Sequence, residues 1–152
     1  MVVNSKLHIA AAGGVLGYLI NMLFGGWSDL LTTLIIFMII DYITGILLAA
    51  VFNKSTKTKG GGLSSAVGLR GVVKKVAELA LAAVAYRLEL ATGIGIMSLV
   101  VGALIATEAM SIMENTGRMG ILPERVQRIF TKAIDFLDGE EKREDKKNDK
   151  GD

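Results

Sequence analysis

Residues 7 to 52 contain just two formal charges, Asp29 and Asp41, and neither lysine nor arginine occurs in that stretch. Two apolar windows, residues 7–24 and 30–52, are separated there by Gly25-Gly26-Trp27-Ser28-Asp29. About 20 mostly apolar residues are needed to cross the hydrocarbon of a bilayer as a helix, because a helix satisfies its own backbone polar groups where water cannot. The turn between the windows is short enough to make an antiparallel hairpin, with Trp27 placed as an interfacial anchor. A further clear window covers residues 93–113, with Glu108 as its one formal charge. An intermediate one covers residues 72–90, with an apolar centre bordered by Lys74, Lys75, Glu78, Arg87 and Glu89. Long cationic side chains at its ends can snorkel to the interface, so a crossing and an amphipathic helix in the interface both fit this segment.

The distribution of basic residues favours the crossing. One lysine, Lys6, precedes the first window, and none lies in the first turn. Six basic residues fall between the second and third windows, Arg87 alone between the third and fourth, and nine after the fourth. That alternation matches four transmembrane helices with both termini in the cytoplasm. Ala10-Ala11-Ala12 lies at the start of the first apolar run, where a signal peptidase would not cut, so this segment is expected to remain as an anchor.

Composition agrees, with 51% apolar residues, 21% charged residues and a mean hydropathy of +0.49. The expected fold is therefore all-α: a polytopic membrane domain over residues 1–120, a cytoplasmic amphipathic helix over 121–138, and a disordered charged tail over 139–152. Pro123 suits the first turn of that helix. Val126, Ile129, Phe130, Ala133, Ile134 and Leu137 recur at helical spacing, with Arg125, Arg128 and Lys132 on the other side, a pattern suited to anionic lipid or to another protomer. The tail alternates both charge signs without an apolar residue.

Several functional classes drop out. The chain has no cysteine and one histidine, His8, at the edge of the first apolar run. Thiolate metal sites, disulfide scaffolds and Ser-His-Asp chemistry are thereby excluded. The Lys59-Gly60-Gly61-Gly62 stretch has no phosphate-loop pattern around it and reads as a flexible basic hinge. No cofactor, metal site or catalytic residue is indicated. The net charge of +2 is weak grounds for nucleic-acid binding, and no such partner is expected.

The acids within the windows are the informative residues. An ionised carboxylate at mid-membrane costs roughly 2.5–3.5 kcal/mol on insertion scales, so Asp41 must be neutral, partnered or facing water. Thr44 and Gly45 lie on its side of the helix at i+3 and i+4, and Ala49 continues the small-residue stripe. Asp41, Thr44, Gly45 and Glu108 are thus candidates for a pore or bundle interior. A structural bond is the alternative for each acid: to a neighbour such as Asn21 for Asp41, and to Lys74 or Lys75 for Glu108. Small residues also repeat every four positions at Gly13, Gly17, Asn21 and Gly25, and at Ser98, Gly102 and Ala106, a pattern that permits close helix packing. Lys74, Lys75, Arg125, Arg128 and Lys132 are candidates for lipid contact and for setting topology.

Taken in order, Asp41-Tyr42-Ile43-Thr44-Gly45, Ser64-Ser65, Gly68, Gly71, Lys74-Lys75, Glu108, Ser111-Ile112, Glu114-Asn115, Gly120 and Pro123 resemble the phage-lysis and toxin-secretion holin family of Gram-positive bacteria and their phages. The resemblance covers about residues 30 to 125. It implies a small protein of the bacterial cytoplasmic membrane that accumulates harmlessly, then self-associates and permeabilises the membrane, releasing an endolysin or a large toxin. Its partners would be copies of itself and membrane lipids. Two other classes fit the residues: a small ion or solute channel or transporter using Asp41, and a non-permeating membrane scaffold that recruits a partner through the C-terminal helix.

Overall fold

The computed structural model describes residues 2–129 and Lys132, with side chains from residue 11 onward. Among the described residues all regular structure is helical, dominated by four long helices: α1 (Val2–Phe24), α2 (Asp29–Ala50), α3 (Ser65–Thr92) and α4 (Ile96–Met119). Residues 124–129 form a further short helical turn.

Each boundary follows from local chemistry. Ser28 caps α2, its hydroxyl accepting from the Leu31 amide at 3.2 Å, and Asp29 sits in the first turn, where a helix dipole favours an acid. The α3 helix ends at Gly93 in the left-handed region, and α4 ends the same way at Gly120. Between these two helices the Glu89 carboxylate accepts from the Met97 amide at 2.8 Å, supplying the start of α4 with a partner from the preceding helix.

α4 is the centre of the bundle, packing extensively on α2 and next on α3. α1 lies principally against α3, so the hairpin expected between the first two segments is a sequential turn whose first arm turns aside to a different neighbour. Gly25, just beyond α1, meets Tyr86 of α3 closely there: a Cβ built on it would come within 2.6 Å of the ring. The apolar core joins Leu34 and Met38 of α2, Ala82 of α3 and Val101 of α4, with Phe24 of α1 packed at its edge.

Two helices, α2 and α4, are long and apolar enough to cross a membrane, where the sequence suggested four crossings. The described apolar stretch of α1, Ala11–Phe24, is short of a span, and the 28 residues of α3 carry too many ionic groups to pass on composition. The outer surface is nonetheless apolar on every helix: Tyr18, Ile36, Val84 and Leu99 are exposed, the last by 72%. An exterior of this kind beside buried acids reverses the usual partition of a soluble domain.

The 51–64 connection departs from the flexible hinge expected of its glycines. Its backbone is closed by Lys54 donating to Leu48 O at 3.1 Å and Ser55 to Gly61 O at 2.9 Å, and the Thr58 hydroxyl donates to Gly62 O at 2.9 Å. Gly61, at φ +73°, passes so near the Asn53 carbonyl that a Cβ there would collide with it. This is a compact loop that needs glycine at one position.

Candidate functional site

One turn beyond Met38 the core changes from apolar to ionic. Asp41 on α2, Lys75 on α3 and Glu108 on α4 converge there. The Lys75 ammonium lies 2.6 Å from Asp41 Oδ2 and also pairs with Glu108 Oε2. The side chains of Lys75, Asp41 and Glu108 are 13%, 12% and 0% exposed. Asn115, two turns beyond Glu108 on α4, donates from Nδ2 to Asp41 Oδ1 and to Thr44 Oγ1, each at 3.2 Å. The Thr44 hydroxyl in turn donates to the Asp41 carbonyl at 3.0 Å. One ammonium shared by two carboxylates therefore ties three helices together.

A second cation closes the outer side. Lys74, half exposed, pairs with Glu78 at 3.2 Å and lies 3.7 Å from Glu108 Oε1. Glu78 is 5% exposed. One oxygen of each of these acids, Glu78 Oε2 and Glu108 Oε1, has no hydrogen-bond partner among the described residues. The cluster thus holds three carboxylates against two ammonium groups, and the contacts of its buried members, Asp41, Lys75 and Glu108, are the expensive ones to break.

The sequence candidates are placed as follows. Asp41, Thr44, Gly45 and Glu108 do share one interior, with Gly45 facing Asn115, whose amide nitrogen would lie 3.7 Å from a Cβ at that position. Of the two structural alternatives, Glu108 meets both Lys74 and Lys75, while Asp41 bonds Lys75 and Asn115; Asn21 is exposed at the end of α1. Lys75, grouped with the lipid-facing residues, is turned inward, whereas Lys74 is 52% exposed. Ala49 is buried, but Gly13, Gly17 and Gly102 face open space within the chain, and Ser98 and Ala106 are exposed. Arg128 lies 3.9 Å from Glu124 on the surface, and Arg125 and Lys132 are exposed. Residues 130, 131 and 133–138 of the expected amphipathic helix, and all of the tail, residues 139–152, lie outside the described residues.

Asn115 and Glu78 were not among the candidates. The signal for Asn115 was its place two turns from Glu108 on the same helix face. That for Glu78 was the spacing of residues 75, 78, 82 and 85, where Glu78, Ala82 and Ala85 form the buried stripe of α3.

These features define a class: a small helical membrane protein with apolar side chains outward and ionic groups sequestered between its helices. The chain belongs to the bacteriophage holin family, whose model matches residues 18–138. It is 33% identical to an uncharacterized protein of Listeria innocua over 95% of this chain and 94% of that one. A second, from Listeria monocytogenes, is 32% identical over 99% and 98%. An uncharacterized protein of Clostridium perfringens from the region 3′ of nagH is 34% identical over 74% and 83%. No solved structure matches. Family membership points to a membrane-permeabilising role of the holin type.

Proposed function

We propose that this protein is a holin of the bacterial cytoplasmic membrane: it accumulates as a closed bundle, then self-associates and opens a path for an endolysin or a secreted toxin. The observation that carries the reading, with the family match, is the self-contained ionic cluster. With Asp41 and Glu108 paired by Lys75 between the helices and apolar side chains on the outer surface, a single copy would leave the membrane intact. Permeation then requires copies to assemble and the cluster to open. The small-residue stripes left facing outward, Gly13-Gly17 on α1 and Ser98-Gly102-Ala106 on α4, suit the close approach of other copies.

Four crossings with both termini in the cytoplasm remain the preferred topology. Of the charges on α3, Lys75 and Glu78 are turned into the bundle and Arg70, Lys74 and Arg87 are exposed toward its two ends, where long side chains reach the interface, while Val73, Val76, Leu81 and Val84 on its outer side are exposed. That is the arrangement of a helix inserted with its partners. Inducing the gene in a bacterium, with a membrane-potential dye and a co-expressed cell-wall hydrolase, tests the function. The expected course is normal growth, abrupt loss of potential after a delay, then lysis. Undisturbed growth and potential at high membrane levels of the protein would sink the proposal.

A further inference from the structure

A cavity of about 590 Å³ opens between the C-terminal end of α2, the 51–64 loop, the first turns of α3 and the last third of α4. Its roof is the closed loop described above, so it has a set shape. The ionic cluster borders it through Asp41 and Lys75, but those groups already satisfy one another. The groups left over are mainly donors. Lys57 and Arg70 line the cavity, and neither has a carboxylate partner among the described residues.

One further feature matches the sign of those cations. The α3 helix begins at the cavity wall with Ser64, whose hydroxyl makes no capping bond, and with no acid in its first turn, so the positive end of the helix is uncompensated. Arg118 also lines the cavity, but together with its partner Glu114 at 2.7 Å, so that pair adds no net charge. The lining also includes the apolar side chains of Ile46, Leu48 and Val67. Unpaired cations, a bare helix N-terminus and apolar side chains in one cavity complement a phosphate ester attached to a hydrocarbon body.

We propose that this cavity binds the phosphate group of an anionic phospholipid, with Lys57 and Arg70 as its principal ligands and the start of α3 in the same wall. Free phosphate shares the chemistry but makes no use of the apolar side chains. Occupancy would join the loop, α3 and α4 across the mouth of the ionic cluster, so lipid composition would influence how readily the bundle opens. The binding itself does not depend on the protein being a holin.

The test uses the full chain purified in detergent, with bound lipid read by native mass spectrometry and stability by the melting temperature. Phosphatidylglycerol, phosphatidylcholine and inorganic phosphate are titrated separately. Phosphatidylglycerol is expected to be retained and to raise the melting temperature, and phosphatidylcholine to do neither. The double variant Lys57→Gln/Arg70→Gln should weaken the phosphatidylglycerol effect about tenfold or more. The control Lys54→Gln/Lys59→Gln removes the same charge from loop positions that do not line the cavity, and should change it by no more than about twofold. Both pairs are exposed, and unchanged helical circular dichroism checks that each variant folds. Stabilisation by inorganic phosphate alone, lost in the first double variant, would keep the site and reassign its ligand to a soluble phosphate. Equal retention of phosphatidylcholine, or equal weakening in both double variants, would overturn the proposal.

Discussion

Replacing Lys75 with alanine separates the role of the ionic cluster from that of the apolar packing around it. The ammonium is 13% exposed and is held at 2.6 Å by Asp41, with Glu108, fully enclosed, on its other side. Removing it leaves two buried carboxylates facing each other without their common counter-ion. Breaking a buried ion pair from one side costs about 3–5 kcal/mol, a factor of some hundreds to thousands in the folding equilibrium. Lys74→Ala, at a neighbouring cation 52% exposed, should cost no more than about 1 kcal/mol. The triple variant Asp41→Asn/Lys75→Met/Glu108→Met, which removes all three charges together, should recover most of the Lys75→Ala loss, because apolar groups of similar size replace a buried ion network at little net cost. Thermal unfolding of the three proteins in one detergent at one pH measures the order. In induced cells the same Lys75→Ala variant should bring forward the collapse of membrane potential. Equal destabilisation by Lys74→Ala and Lys75→Ala, or no recovery in the triple variant, would refute the assignment of Lys75 as the tie between α2 and α4.

Four other outcomes can be checked. Asn115→Ala deletes the hydrogen bonds to Asp41 and Thr44 and should lower stability by about 0.6–2 kcal/mol in a detergent unfolding titration. Gly25→Ala drives a Cβ toward the Tyr86 ring at a residue with φ +75°, so it should loosen α1 from α3; adding Tyr86→Ala should restore part of the loss, read as a non-additive double-mutant cycle. Gly61→Ala should cost about 1–3 kcal/mol through its left-handed backbone and the Asn53 carbonyl, and should expose the 53–62 loop to limited proteolysis. Because the chain has no cysteine, single reporters settle the topology: Trp27→Cys should react with a membrane-impermeant maleimide in intact cells, and Lys59→Cys only after the membrane is opened.

The apolar windows and the acids within them were legible because each is a local signal. A run of about 20 apolar residues, or a carboxylate in the middle of one, needs no knowledge of the rest of the fold. Thr44 and Gly45 could be put on the face of Asp41 for the same reason, since helical geometry alone relates them. The partners could not, because Lys75 lies 34 residues from Asp41 and 33 from Glu108. Nothing in the periodicity of one helix states which other helix it will meet. Two adjacent lysines illustrate the limit: Lys74 and Lys75 lie about 100° apart on a helix, so they need not share a face, and here Lys75 is enclosed while Lys74 stays half exposed. The spacing from Lys75 to Ala82 and Ala85 does mark the inward one, once it is known that α3 has a buried side. The 51–64 loop was misjudged for a related reason. Its glycines look like flexibility in sequence, and their use at Gly61 for a tight crossing against Asn53 is a tertiary contact.

The shared ammonium also orders events during synthesis. Asp41 leaves the ribosome first, Lys75 follows 34 residues later, and Glu108 follows after a further 33. A chain interrupted before residue 108 carries α2 and α3 but lacks the second carboxylate, Asn115 and the helix that both neighbours pack against. Such a fragment leaves the outer side of Lys75 without its acid, so the tie closes only on a finished product. Copies terminated before residue 108 should therefore hold α2 and α3 together less firmly than the full chain does.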